Sequence, residues 1–104
     1  MSREKEQIVA TIDKVQNVVD FFYQQKDKEA FEKLDVTLDD MTIAIDNLAS
    51  YKNEHQSFVF DDSKLCTILK DAVNALESED EVLMADILQY DFIEYINELL
   101  EKME

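Results

Sequence analysis

The chain contains no glycine and no proline among its 104 residues. Without glycine it has no phosphate-binding Gly-rich loop, no nucleophile elbow and no EF-hand turn. Tight β-hairpins also depend on glycine, because their two-residue turns need positive φ angles. Helix interiors need neither residue, so the composition predicts an all-α protein. This length is typical of one domain, which we expect to cover residues 1–104.

Basic residues are also few. Ten Lys and Arg stand against 25 Asp and Glu, which gives a formal net charge of −15. Nucleic acids and anionic membrane surfaces both need a basic face on the protein, so we expect neither as a partner. We expect most of the negative charge on solvated faces that keep the protein soluble. A basic protein is the alternative partner of this charge.

Cysteine and histidine each occur once, as Cys66 and His55. A single cysteine cannot form an internal disulfide, which fits a reducing compartment. Residues 1–7 are charged and lack the apolar segment of a signal peptide, so we expect a cytoplasmic protein. Cys66 has apolar neighbours in a predicted helix, and we expect it to be a small buried hydrophobe.

The sequence offers no motif for catalysis or for a metal. Zinc needs more Cys and His ligands, a di-iron bundle needs two Glu-x-x-His motifs, and a calcium loop needs a glycine turn. In phosphotransfer bundles the active histidine is followed three residues on by lysine and then by glycine, whereas Phe58 and Val59 occupy those positions relative to His55. We interpret His55 as an ordinary exposed histidine, and we expect no enzyme activity, no cofactor and no metal.

The C-terminal stretch from Val82 to Met103 is the most apolar part of the chain. Its main apolar line advances in alternating steps of three and four residues, as in an amphipathic helix. Interspersed charges argue against a membrane span. We expect this helix to be the most buried of the protein. The main line is Ala85, Leu88, Phe92, Tyr95, Leu99 and Met103, widened by Ile93, Ile96 and Leu100.

Three further amphipathic helices are predicted before it, over residues 2–25, 28–51 and from one of residues 61–63 to 76 or 77. Asp27 is the expected N-cap of the second helix, and Ser78 with Glu81 forms a capping box for the fourth. Four such helices predict an antiparallel four-helix bundle, up-down-up-down. One unbroken helix through Leu48, and hence three helices in all, is the alternative. The heptad seam of helix two is Phe31, Leu34, Leu38, Met41, Ile45 and Leu48.

Two apolar sets do not fit the helical seams, and they are the candidate partner-binding residues. They are Leu83, Ile87 and Tyr90, on a separate line of helix four, and Phe58, Val59 and Phe60, in the predicted loop 52–62. One interpretation is structural: a neighbouring helix or the loop covers the line, and the aromatic run plugs the end of the bundle. The other is an exposed surface for a partner protein or a dimer.

The segment Asp80-Glu81-Val82-Leu83-Met84-Ala85-Asp86-Ile87-Leu88-Gln89-Tyr90-Asp91 resembles part of the small helical-bundle proteins of Gram-positive motility gene clusters. The connection from Gln24 to Phe31 is similar as well. Those proteins are similar in organisation to flagellin-export chaperones, antiparallel helical bundles that hold a partner segment on apolar surface. The resemblance implies a non-catalytic, chaperone-like or adaptor protein that binds another protein or a helical segment of one, with a link to flagellar export. The alternative function is a self-associating structural or regulatory helical protein, with a homodimer as its form.

Overall fold

The computed structural model describes residues 3–103, and within that range it contains helices and no strand. α1 is Arg3–Tyr23, α2 is Asp27–Glu54 and α3 is Asp62–Glu77. α4 covers residues 81–101 in three consecutive segments: α-helical Glu81–Asp86, π-helical Ile87–Ile93 and α-helical Glu94–Glu101. The predicted all-α four-helix bundle is confirmed. The alternative of one fused helix through Leu48 is wrong, because the chain turns at residues 24–26.

The two shortest connections have the same hydrogen-bond pattern. After α1, Lys26 N–H donates to the Phe21 carbonyl at 2.9 Å and Gln25 N–H to the Phe22 carbonyl at 3.0 Å. This pair of bonds is a Schellman motif, which places its C′ residue in the left-handed region. Gln25 accordingly has a φ of 61°, and Glu79 takes the same role after α3 with a φ of 59°. Since glycine normally occupies this position, both turns are strained.

Both predicted N-caps at these turns are wrong. Lys26 is the N-cap residue of α2, without a side-chain cap hydrogen bond, and Asp27 is already helical. Ser78 ends α3, and Asp80 caps α4 by accepting a hydrogen bond from Leu83 N–H at 3.0 Å. The reason is geometric: the reversal needs a left-handed residue between the two helices, so Ser78 belongs to the turn.

Side-chain contacts fix the relative direction of α1 and α4. Near one end of the bundle, Lys5 Nζ donates to the Met103 carbonyl at 3.3 Å. Further along, Gln16 Nε2 donates to Gln89 Oε1 at 2.7 Å. The start of α1 therefore meets the end of α4, and the two helices are antiparallel.

A polar network joins α1 to α2. Gln7 Nε2 donates to the Asp40 carbonyl at 3.0 Å, and Asn47 Nδ2 donates to Gln7 Oε1 at 2.8 Å. Thr11, which is buried, donates to the Gln7 carbonyl at 2.9 Å, and Lys14 pairs with the Asp40 carboxylate at 2.7 Å. These contacts hold the two backbones close together along their length.

α4 is the central element of the core, as predicted. Within the described range it carries nine buried residues, compared with seven on each of α1 and α2 and four on α3. All six residues of its predicted main line are buried. None of the helices described over residues 3–103 combines the length and apolar character needed to cross a membrane.

The seam of α2 is rotated relative to the prediction. Its buried side includes the small residues Ala30, Thr37 and Ala44, which recur at intervals of seven and suit close packing of α1. Leu38, from the predicted seam, is 46% exposed. The spacing of large apolar residues did not predict this rotation, because the small buried residues Ala30, Thr37 and Ala44 contribute little to an apolar pattern. The apolar flank consisting of Phe31, Leu38 and Ile45 is left partly or largely exposed.

A candidate partner-binding groove between α2 and α3

An apolar groove lies between α2 and α3, and α4 lines its floor. α2 packs on α1 and α3 packs on α4, whereas the backbones of α2 and α3 approach each other at no more than isolated points. The cavity between them has a volume of about 240 Å³. Among the described residues that line it, Thr42 alone has a polar side chain. The lining residues are Leu34, Leu38, Met41, Thr42, Ile45, Leu69, Ala72, Val73, Leu76, Met84 and Leu88.

The floor of the groove is buried and its walls are open. Met84 and Leu88 of α4 belong to the core and close the groove from below. Leu38 on the α2 wall is 46% exposed, and Val73 on the α3 wall is 49% exposed. Water therefore contacts large apolar side chains on both walls, an arrangement that favours a bound apolar group.

The connection between α2 and α3 is anchored in the core by two aromatic side chains. Phe58 packs edge-on against Tyr51 with ring centroids 4.9 Å apart, and both residues are buried. Phe60 is buried as well, and its carbonyl accepts a hydrogen bond from Lys52 Nζ at 3.2 Å. These rings fill the end of the bundle where α2 stops and α3 starts.

The family model for a domain of unknown function, DUF8042, matches residues 1–102. The chain belongs to the DUF8042 family. Comparison with curated proteins and with solved structures gives no match. The DUF8042 match extends over α1, α2, α3 and α4, so the family as a whole includes the segments that form both walls and the floor of the groove.

The predicted aromatic run of this DUF8042 protein is divided between core and surface. Phe58 and Phe60 are buried, as in the structural interpretation of a plug, so neither offers free surface to a partner in this conformation. Val59 between them is exposed. The run therefore does not form a continuous apolar patch.

The predicted line on α4 is divided in the same way. Leu83 and Tyr90 are exposed, whereas Ile87 is in the core. The line was predicted with 3.6 residues per turn. It does not hold from Ile87 to Tyr90, because Ile87–Ile93 is π-helical and has more residues per turn. Tyr90 borders a shallow, mostly polar depression that includes Lys64 and Glu94. The six predicted candidates thus do not come together on one surface.

The residues of the α2 wall belong to the heptad seam predicted for helix two, except for Thr42. Leu38, Ile45, Leu69 and Leu76 have the spacing of core positions, and nothing local distinguishes them from residues that are fully covered. One signal was present. α2 carries both a small-residue line and a large-residue line, which together are wider than a single neighbouring helix covers.

Within residues 3–103, the polar side chains do not build a second site. Tyr23 donates to the Asp86 carboxylate, and partial burial together with this hydrogen bond raises the pKa of Tyr23 above its usual value near 10. Over residues 3–103, no group of three or more His, Cys, Asp and Glu is arranged to hold a metal ion. In the same range, each buried side-chain nitrogen or oxygen has a hydrogen-bond partner.

The environments of Cys66 and His55 differ from those expected. Cys66 is exposed on α3, so the expectation of a buried thiol is wrong. The adjacent Leu65 faces the core, and a helix turns by about 100° per residue, which brings the next side chain to the surface. His55 is half-buried rather than free: its ring stacks on Tyr51 with centroids 3.9 Å apart, and it ends α2.

Proposed function

We propose that this protein is a non-catalytic, protein-binding helical bundle, chaperone-like or adaptor, that holds a helical segment of another protein in the α2–α3 groove. The observation that carries the proposal is the open groove itself, whose walls expose Leu38 and Val73 above a closed apolar floor. A concave site lined almost entirely by apolar side chains is typical of binding pockets. Insertion of an amphipathic helix into an apolar groove is a common mode of peptide recognition.

The length of the groove indicates the size of the bound segment. On α2 the lining residues extend from Leu34 to Ile45, which is about 17 Å at a rise of about 1.5 Å per residue. A partner helix of about three turns would cover that distance. Its apolar side chains would recur every three or four residues to contact both walls and the floor.

The resemblance of residues 80–91 to motility proteins supports a narrower version of the proposal. In that version the partner is a component of flagellar export, and the groove shields the apolar face of the partner before it assembles. Binding would take place in the cytoplasm, as expected for a chain with one free cysteine and no internal disulfide.

The proposal can be tested with two substitutions on α2 that differ only in their relation to the groove. Leu38 is 46% exposed and lines the groove, whereas Ile43 is 48% exposed and does not. We expect Leu38→Asp to lose the partner in affinity capture from native cells followed by mass spectrometry, while Ile43→Asp retains it. The reason is that a carboxylate on the wall must be desolvated when an apolar segment binds.

Circular dichroism and thermal unfolding of both variants provide the control for folding. Because both positions are about half exposed, both variants should fold with similar stability. Retention of the same partners by Leu38→Asp and Ile43→Asp at equal levels would show that the groove is not the binding site.

Self-association is the second candidate function, and the exposed Leu83 and Tyr90 of α4 favour it. Light scattering at high protein concentration distinguishes the two. A dimer that dissociates in the double variant Leu83→Asp, Tyr90→Ala would support self-association through α4. A monomer at all concentrations would exclude it.

A further inference from the structure

We propose that the α2–α3 groove selects a basic amphipathic helix, whose lysine or arginine side chains pair with an acidic strip on α2. The acidic strip consists of Asp35, Asp39 and Asp46. This inference rests on the proposed function and adds the charge of the partner segment, which the apolar lining alone does not specify.

The acidic strip follows the outer edge of the α2 wall. Asp35 precedes Leu38 by three residues, Asp39 precedes Thr42 by three, and Asp46 follows Thr42 by four. Residues three or four apart are neighbours on a helix surface, so each carboxylate lies beside a side chain that lines the groove. All three aspartates are exposed.

Within residues 3–103, none of the three aspartates of the acidic strip forms a salt bridge. The salt bridge found in that range joins Lys14 to Asp40, on the side of α2 that faces α1. Asp35 and Asp39 are also separated by four residues, a spacing at which like charges repel. A cation beside them would therefore be favourable in two ways, by attraction to each carboxylate and by reducing their mutual repulsion.

The opposite wall is electrostatically balanced. On α3, Lys70 precedes Val73 by three residues and Glu77 follows it by four, so one charge of each sign flanks the groove there. Among the charges beside the two walls, the acidic strip of α2 is consequently the set without a balancing charge, within a chain whose net charge is −15. Unbalanced negative charge of this kind raises the local concentration of cationic segments and speeds their association.

A second copy of this chain is a poor occupant for the same reason. Each copy carries a net charge of −15 and the same acidic strip. Two copies therefore repel each other at ordinary ionic strength before their apolar surfaces can meet. A helix of another protein, with basic residues flanking its apolar stripe, avoids this repulsion.

Two synthetic peptides test the inference. Both are helical, about 14 residues long, and carry the same leucine stripe at three- and four-residue spacing. One has lysines on both flanks of the stripe and the other has glutamates. Fluorescence anisotropy of labelled peptide measures the affinity at low salt and at about 0.5 M salt, where screening is strong.

We expect the lysine peptide to bind at least about tenfold more tightly than the glutamate peptide at low salt, since three exposed ion pairs together supply a difference of that order. High salt should narrow the difference. The triple variant Asp35→Asn, Asp39→Asn, Asp46→Asn should narrow it as well, because it removes the acidic strip and leaves the apolar walls unchanged.

Two single variants separate binding in the groove from general attraction of a cationic peptide to an acidic protein. Leu38→Asp adds a carboxylate, so it would strengthen general attraction, yet we expect it to weaken binding of the lysine peptide. Ile43→Asp adds the same charge outside the groove, four residues after Asp39 and three before Asp46, so it should leave the affinity unchanged or strengthen it, in contrast to Leu38→Asp.

Each contrary result identifies the step that fails. If the protein binds the two peptides with equal affinity and Leu38→Asp binds neither, selection by charge is overturned and binding in the groove is retained. Unchanged peptide binding in Leu38→Asp would overturn the groove and the proposed function together. A homodimer at low salt that dissociates in Leu38→Asp and prevents binding of the lysine peptide would identify the second copy as the occupant and overturn the inference.

Discussion

Truncation of the aromatic side chains at the end of the bundle should destabilise the protein strongly, although they lie in a connection rather than in a helix. Phe60 is 4% exposed and contacts the core, whereas its neighbour Val59 is 73% exposed. Replacing a buried phenylalanine with alanine removes the transfer free energy of the ring and leaves a cavity, which together cost about 3–5 kcal/mol. Because a connection can relax more readily than a helix, we expect Phe60→Ala to lower the free energy of unfolding by about 3 kcal/mol.

Phe58→Ala should have an effect of similar size. Its ring makes an edge-on contact with Tyr51 at a centroid distance of 4.9 Å, and such pairs contribute about 0.5–1.5 kcal/mol beyond the area that they bury. Val59→Ala is the matched control. Since Val59 is mostly in solvent, this substitution should change the free energy of unfolding by less than about 0.5 kcal/mol.

Urea unfolding followed by far-UV circular dichroism measures these effects. With a denaturant slope of about 1–3 kcal/mol per molar urea, a loss of 3 kcal/mol lowers the midpoint by about 1–3 M. The slope itself should stay constant if the native state is intact. A midpoint for Phe60→Ala equal to that of Val59→Ala would refute the reasoning, because the ring would then not be part of the core. Phe60 would in that case be available to a partner, together with the exposed Val59.

Two further predictions concern the turns and the protonation of one tyrosine. Gln25→Gly and Glu79→Gly should each raise the free energy of unfolding by about 0.5–1 kcal/mol in urea titrations, because glycine adopts a positive φ without strain. Ser78→Gly is the control: Ser78 has a φ of −83°, so this substitution should lower the free energy of unfolding. The pKa of Tyr23 is raised in the folded state, so its contribution to stability is complete below pH about 10 and is lost as the pH rises above that value. Thermal unfolding at pH values of about 9 and 11 should therefore show a smaller loss of stability in Tyr23→Phe than in wild type. An equal loss of stability in the two proteins would show that the hydrogen bond to Asp86 does not raise the pKa of Tyr23.

The part of the fold that could be predicted from sequence is the part fixed by local periodicity. The main line of α4 was found because its large apolar residues recur at helical spacing and all belong to one core. The number of helices followed from the same pattern. These features can be predicted without knowing which helices are neighbours, because every buried helix face has the same apolar periodicity in the sequence.

The helix ends were harder to predict, because several residues near each turn are good caps. Ser78 and Asp80 both have side chains that can accept a hydrogen bond from a helix N-terminus. The choice between them depends on Glu79, whose left-handed conformation is normally signalled by glycine. A chain without glycine gives no such signal, so the start of α4 could not be assigned correctly.

The groove could not be predicted, because its existence depends on which helices pack together. Leu34 and Leu38 occupy equivalent places in the heptad pattern, yet Leu34 is buried and Leu38 is half exposed. The difference arises because α1 packs on the side of α2 that carries Ala30 and Ala44, which leaves the opposite flank without a neighbour at close range. Pairing of this kind is a property of the assembled bundle.

The acidity of the chain and the openness of the groove are linked by one physical requirement. A groove with Leu38 and Val73 exposed would promote aggregation of a neutral protein, because copies would bury these side chains against one another. A net charge of −15 opposes that association at long range, while short-range contact with a suitable partner stays favourable. The attraction of basic segments proposed above would use the same carboxylates that keep copies of the chain apart. Electrostatic repulsion between copies would then protect the groove, whose walls are open over the described residues.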